Sequence, residues 1–435
     1  MSLPDVLETE EQKLLACVHC GLCLEACPTY TLTGDENDSP RGRIYLMRAV
    51  AEERLRSDSV TFKTHIDRCL GCRACEPVCP AGVEYGQLLE ASRAAIFTPE
   101  VPKGFRYRLL RFALRHVWLQ PRRLRFSFAL ARLLRDTGLA KLLLQSRVIG
   151  LFSKRGEFGL ALLLSSAPQI DTSAGKGLSE PAADEQTQTA LLFTGCVTAG
   201  LFGRVNEATK RVLLVNGVQA EAAPHQVCCG ALHAHAGDLE GARLLARQNI
   251  SAFGAGDTPV ITNAGGCGAM LVSYGHLLAD DSTFAERART FSARVRDVSQ
   301  QLETKTIVNG AHLDGAVTYD ASCHLLNGQH AAEAPLKVLR AIPDLNFVPL
   351  EGAERCCGGA GVYNLLEPEM SQGVLAEKLA HVRETGATVL ATGNPGCQMQ
   401  IGAGLQVKGM ELRTCHPVEL LDMSYRQAGY YSEDS

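Results

Sequence analysis

The sequence contains no uninterrupted apolar run near the roughly 20 residues of a bilayer span, and no positively charged leader with an apolar core precedes Cys17. A membrane-spanning chain and a secreted one are therefore disfavoured, and the expectation is a cytoplasmic protein. The cysteine density of a small disulfide scaffold is also missing: 17 cysteines are spread over 435 residues, and a chain of this length can bury a core without covalent staples. In a reducing compartment, clustered thiols point to metal rather than to disulfides. No dinucleotide fingerprint stands out. "GAGLQVKG" and "CCGGAG" supply glycines without the strand, helix and downstream acid such a site needs, so no flavin or nicotinamide site is read from this chain. There is no large excess of either charge, and a formal net charge of −4 implies no partner by itself. Nucleic-acid binding is not expected, because no recognised motif accompanies the basic residues.

What is present begins at "CVHCGLCLEACP". Cys17, Cys20, Cys23 and Cys27 follow C-x2-C-x2-C-x3-C-P, and "CLGCRACEPVCP" repeats it with Cys69, Cys72, Cys75, Cys79 and Pro80. In two-cluster ferredoxins such a run gives three thiolates to one 4Fe–4S cluster and its fourth to the other. Reciprocal ligation assigns Cys17, Cys20, Cys23 and Cys79 to the first cluster, and Cys69, Cys72, Cys75 and Cys27 to the second. Paired zinc sites would need neither the third closely spaced cysteine nor the trailing proline. Gly21, Gly71 and Ala74 let backbone N–H groups approach the sulfurs, or simply permit tight turns. Between the runs, Ser39 reads as an N-cap and Pro40 as the first residue of a helix with apolar positions Ile44, Met47 and Val50. Arg41 and Arg43 on it read as facing a cluster, a partner or solvent.

The second half of the sequence repeats itself. "TALLFTGC" (Cys196), "VCCG" (Cys228, Cys229) and "VITNAGGCGAM" (Cys267) return as "VTYDASC" (Cys323), "RCCGG" (Cys356, Cys357) and "VLATGNPGCQMQ" (Cys397). Four cysteines thus keep register across an internal duplication. The apolar runs read as buried strands that deliver cysteines to loops at their ends, and the amphipathic segments between them as helices, which predicts two tandem α/β modules. The two four-cysteine sets are candidate metal sites for iron–sulfur or zinc centres. Cys323–His324 and Cys415–His416 are weaker candidates for nucleophile–base pairs, and His233 and His235 read as loop histidines able to bond the first set or to face solvent.

Residues 103–155 hold fourteen Lys or Arg against the single acid Asp136, with apolar residues interleaved. Three roles fit: lying on anionic lipid, docking on an acidic partner, or covering the chain's own core.

Taken together, the paired cysteine runs, the duplicated CCG modules and the stretches "PTYTLTGDENDSPRGRIYL" and "SYGHLL" resemble the iron–sulfur subunits of bacterial glycolate oxidase, over most of the chain. The resemblance implies an electron-transfer subunit of an FAD-dependent glycolate dehydrogenase complex, in which FAD-containing partner subunits oxidise glycolate to glyoxylate and this chain relays electrons onward. The expected final acceptor is a membrane quinone, and the expected location is the cytoplasm, with a peripheral contact on the cytoplasmic face of the inner membrane. Cysteine spacing alone does not identify glycolate. Related modules occur in heterodisulfide reductase catalytic subunits and in lactate and glycerol-3-phosphate dehydrogenase systems, which supply the alternative readings. Modules there commonly end in C-x-x-C, whereas this chain has Met270 and Gln400 at those final positions, which weighs against disulfide catalysis.

The expected architecture is an α+β multidomain chain. It comprises a helical two-cluster ferredoxin-like domain (1–100), a basic amphipathic helical segment (101–164), a flexible linker (165–188), and two cysteine-rich modules (189–305 and 306–435).

Overall fold

The computed structural model describes residues 10–56, 58–97, 104–170, 178–179 and 187–433. The linker expected over 165–188 falls largely on residues outside these. Among the described residues, no helix is long and apolar enough to cross a membrane.

The N-terminal part is helical, with its cysteines in the connecting loops. Helix α1 (Pro28–Thr33) follows the first run directly. Helix α2 (Pro40–Ala51) starts where a capping serine and a proline dictate: the Ser39 hydroxyl accepts from the Gly42 N–H at 2.9 Å, and Pro40 needs no donor there. Its buried stripe of Ile44, Met47 and Val50 packs with Phe62 and Ile66 of α3 (Val60–Asp67) and with Leu88 and Leu89 of α4 (Tyr85–Ile96). The basic region then forms α5 (Phe105–Ala113), α6 (Pro121–Asp136) and α7 (Leu139–Gln145), a short turn of helix at Val148–Phe152, and α8 (Lys154–Ser165).

The remainder is built from two four-stranded parallel sheets of one topology. In the first, β1 (Gln188–Phe193) is flanked by β2 (Val218–Ala222) and β3 (Val260–Thr262), with β4 (Val295–Asp297) outside β3. In the second, β5 (Ala316–Asp320) is flanked by β6 (Asn346–Phe347) and β7 (Val389–Thr392), with β8 (Arg413–Cys415) outside β7. The order is the same in both, so the repeat seen in the sequence is a repeat of fold. Both central pairs are covered by helices, which is why "VIT" and "VLAT" are apolar without alternation and buried throughout.

The sheets share a core. Leu192 and Ile261 of the first lie in one cluster with Val317, Val389 and Ala391 of the second. Arg211 of α10 (Gly203–Val215) forks the Asp422 carboxylate of α15 (Pro417–Gln427) at 2.9 and 2.7 Å. At the far end, Leu178–Ser179 pairs antiparallel with Ser432–Glu433.

The cysteines expected in loops are placed differently. Cys196 opens α9 (Cys196–Leu201), Cys267 sits in the first turn of α13 (Gly265–Val272), and Cys397 in that of α14 (Pro395–Lys408). The reason lies in the residues after each strand: Gly195, Gly265 and Pro395 start a helix at once. The cysteines are thereby set at helix N-termini beside unpaired N–H groups, although neighbouring cysteines and burial still hold the Cys196 and Cys397 thiols well above their ordinary pKa.

Candidate metal centres and their surroundings

Cys17, Cys20, Cys23 and Cys79 line one small cavity near the surface, with Cys75 at its edge and Ile44 and Tyr85 closing its inner side. Cys20 is exposed, and Val18 and Leu22 beside it are 69% and 61% exposed. The other four lie deeper: Cys27, Cys69, Cys72 and Cys75 are between 7% and 9% exposed. Burial pushes the Cys75 thiol well above its ordinary pKa, and the nearby Cys72, Cys69, Glu76 and Cys27 add to the effect. The structure brings all eight cysteines into one region, with Cys17, Cys20, Cys23, Cys75 and Cys79 lining the outer cavity and Cys27, Cys69 and Cys72 outside it. Buried thiols packed this closely cannot ionise together without a cation, and a cubane's iron would remove that conflict.

Arg43 is the unexpected member of this region. Its side chain is fully buried rather than solvated: Nε donates to the His65 carbonyl, Nη1 to Thr29 Oγ1 at 3.1 Å, and Nη2 faces Asp38 at 3.4 Å. Asp38 also meets His65 Nδ1 at 2.8 Å and Arg68 at 3.2 Å. Burial by itself would lower the Arg43 pKa, but Cys69, Tyr85, Cys27 and Asp38 outweigh it and hold the guanidinium charged. A fixed cation thus sits 4.0 Å from the Cys27 sulfur and within electrostatic reach of Cys69. Gly71 N–H points at Cys69 Sγ at 3.4 Å and Tyr85 O–H at 3.6 Å, which adds donors to the same sulfur.

Each module gathers its own four cysteines. Cys196 Sγ is 3.4 Å from Cys228 Sγ, and Cys229 is within hydrogen-bonding reach of both Cys228 and Cys267. In the second module Cys356 reaches Cys323, and Cys357 reaches Cys397, whose sulfur also accepts from Asn394 Nδ2 at 3.3 Å. The thiols of Cys229, Cys356, Cys357 and Cys397 are all raised well above the ordinary value, mainly by neighbouring cysteines and by burial. Both sets fit a metal centre for the same reason as the N-terminal ones.

The two positions where a further cysteine is missing carry no ligand. Gln400 is fully buried, and its amide is already engaged, accepting from Asn364 at 2.9 Å and donating to Ser371 Oγ at 3.0 Å. Met270 is packed in the apolar cluster around Cys228 and Cys229, together with Leu245 of α12 (Leu239–Phe253).

The deep N-terminal set and the second module touch. Cys356 lies within hydrogen-bonding reach of Cys72, and the two share a buried cluster with Leu70, Cys323 and Tyr363. Asn327 Nδ2 donates to the Cys72 carbonyl at 3.0 Å, and Tyr363 O–H to the Arg68 carbonyl at 2.7 Å. Arg93 ties the same region to the first module, donating to the carbonyls of Cys69 and His235.

The weaker candidates resolve into structural roles. Cys323 Sγ is 3.8 Å from His324 Nδ1, beyond a good nucleophile–base distance. Cys415 is fully buried, and His416 caps α15, its Nδ1 accepting from Val418 N–H at 3.1 Å. His233 is neither in a loop nor solvated: it is fully buried in α11 (Ala231–Ala236), with Nδ1 3.0 Å from Asp238. The burial of Arg43 and the contact between Cys72 and Cys356 have no local signal in the sequence, since both depend on residues far apart in the chain.

Comparison with known proteins agrees with this geometry. Residues 13–83 match the 4Fe-4S dicluster domain, and residues 190–272 and 317–402 match the cysteine-rich domain. The chain is 37% identical to a probable glycolate oxidase iron-sulfur subunit of Bacillus subtilis (strain 168), over 95% of this chain and 94% of that one. It is 32% identical to the glycolate oxidase iron-sulfur subunit of Escherichia coli (strain K12), over 90% of each. Lactate utilization protein A of Geobacillus thermodenitrificans (strain NG80-2) is 31% identical, over 53% of this chain and 97% of that one.

Proposed function

Because the chain belongs to the family of glycolate oxidase iron–sulfur subunits, we propose that it carries electrons from a glycolate-oxidising flavoprotein partner toward a quinone acceptor. The observation that carries this reading is the contact between Cys72 and Cys356. It joins the deep N-terminal cysteine set to a module that would otherwise be only a neighbour.

On this reading the domains divide at residues 1–100, 101–164, 165–188, 189–305 and 306–435. Cys17, Cys20, Cys23 and Cys79 hold one 4Fe–4S cluster and Cys69, Cys72, Cys75 and Cys27 the other. Cys196, Cys228, Cys229 and Cys267, and Cys323, Cys356, Cys357 and Cys397, hold a further centre in each module. When bound, such clusters accept and release electrons singly, whereas the hydride or electron pair leaving a 2-hydroxy acid needs a flavin. FAD is therefore assigned to the partner. Val18 and Leu22, exposed beside Cys20, form the apolar edge on which that partner docks. Arg43 holds positive charge against the deep set and favours its reduced form. The exposed apolar side chains of α5, α6 and α7, set among arginines, support peripheral contact with anionic lipid. The spent amide of Gln400 and the packed Met270 leave a relay, rather than disulfide catalysis, as the reading of the modules.

The test is glycolate-dependent reduction of the full chain, followed by electron paramagnetic resonance, with and without the flavoprotein partner. Signals should appear only with the partner; reduction by glycolate in the flavin-free chain would defeat the division of labour. Replacing Cys228 and Cys229 together, or Cys356 and Cys357 together, should remove metal from one module and leave both N-terminal signals. Unchanged metal content would remove the case for module centres.

A further inference from the structure

Helix α6 has two unlike faces. Outward it presents Phe126, Leu130 and Leu133, which are 72%, 57% and 61% exposed. Inward, with Trp118 just before it, it roofs a cavity of about 580 Å³ whose floor includes Cys196 and Cys228 of the first module. Leu124, Phe128, Pro121 and Trp118 give the roof an apolar, largely aromatic surface.

The polar groups of the cavity are biased to one kind. Arg125, Arg132 and His225 line it, and no carboxylate does. The Trp118 indole N–H is buried and makes no hydrogen bond among the described residues, so Trp118 contributes ring surface to the cavity and not a donor. Arg132 uses Nη1 on the Gly200 carbonyl at 2.7 Å, whereas no ion pair involving Arg125 is found among the described residues. Such a site recognises a molecule that is flat and apolar in body and bears oxygen acceptors. A small 2-hydroxy acid would satisfy the cations and leave the aromatic surface bare. A quinone ring satisfies both, and the apolar outer face of α6 sets the cavity beside the surface a lipid-soluble carrier would come from.

We propose that this cavity binds the head group of a lipophilic quinone, with Arg125 and His225 donating to its carbonyl oxygens, Trp118 giving ring surface, and the first module's cysteine set as the point of electron delivery. The proposal rests on the relay reading for its electrons. Two electrons released by the 2-hydroxy acid arrive one at a time, two protons enter from water, and each quinone C=O becomes C–O–H.

Trp118 is the only tryptophan in the chain, so its fluorescence reports on the cavity without any turnover. A short-tailed quinone titrated into the full-length, cluster-loaded chain should quench it saturably. Ala199→Leu, at an exposed helix position on the cavity wall, and Arg125→Ala should each weaken the quinone by about tenfold, with circular dichroism unchanged. Quenching that rises linearly without saturating, or saturates equally in both variants, would overturn the assignment. So would saturable quenching by glycolate or glyoxylate that displaces the quinone, which would mark an anion site. The relay is checked apart from this, by glycolate-driven ferricyanide reduction in the wild-type complex. Its failure would remove the relay while the titration still decided the cavity.

Discussion

Arg43 Nη1 stands 4.0 Å from the sulfur of Cys27, on a side chain that solvent does not reach. Solvent screens the charge only weakly at that depth, and the paired Asp38 carboxylate at 3.4 Å offsets part of it, so the net effect on the deep cysteine set is a modest one. Replacing Arg43 with Gln should lower the reduction potential of the deep cluster by on the order of 59 mV, a tenfold change in a one-electron equilibrium. Arg43→Lys should restore most of it. A redox titration followed by electron paramagnetic resonance measures both; equal potentials in all three forms would show that the arginine only fills space and pairs with Asp38.

Cys27 comes from the first run but is buried, does not line the cavity of Cys17, Cys20 and Cys23, and acts electrostatically with Cys69 as well as with Cys23. Cys27→Ala should therefore disturb the cluster held by Cys69, Cys72 and Cys75 and spare the surface one. The spin–spin interaction between the two reduced centres should disappear while one signal persists. Selective loss of the surface signal would refute reciprocal ligation.

His416 is buried and its pKa is pushed down to about 3, chiefly by desolvation. In the unfolded chain it titrates near 6.5. Its neutral form is thus favoured by folding, the unfolded state binds the extra proton, and stability is lost as pH falls below about 6.5, at up to about 1.4 kcal/mol per pH unit. Above that range it contributes no pH dependence. His416→Asn keeps a capping side chain for α15 and removes the proton sink, so urea midpoints of the variant between pH 7 and pH 5 should fall less steeply than those of the parent. Parallel slopes would place the acid sensitivity elsewhere.

The helices of the basic region carry Phe105, Phe126, Leu142 and Phe152 outward at 71%, 72%, 63% and 87% exposure, while Arg135 turns inward to the carbonyls of Ser166 and Leu201. The triple change Arg122→Glu, Arg123→Glu and Phe126→Ser should abolish sedimentation with vesicles rich in anionic lipid. Binding of the parent should weaken as salt rises from 0.05 to 0.5 M, roughly a threefold shortening of the screening length. Retained vesicle binding in the triple variant would leave docking on a protein partner as the use of this face.

Much of this was legible in the sequence because the signals were local or periodic. Cysteine spacing pointed to one region holding all eight N-terminal cysteines, Ser39 and Pro40 marked the start of α2, and the repeated register of eight cysteines announced two sheets of one topology. What escaped were consequences of distance along the chain. Nothing near Arg43 tells that Asp38, His65 and Thr29 will close around it. Cys72 and Cys356 are ordinary members of their motifs until the fold sets them side by side. The basic segment misled in a different way: amphipathic spacing says that two faces exist, but not that Arg135 will seek inner carbonyls while Phe126 stays outside. Cys267 and Cys397 moved from loops into helices because the glycine or proline after each strand permits an immediate helical start.

The seam between Cys72 and Cys356 bears on how the cysteines could be filled. In the folded chain Cys72 is 9% exposed, and Cys69 and Cys75 are 7% and 8%, whereas Cys20 is open to solvent. If clusters occupy the two sets proposed above, iron and sulfide would reach the deep one more readily before the second module is seated, and the outer one before or after.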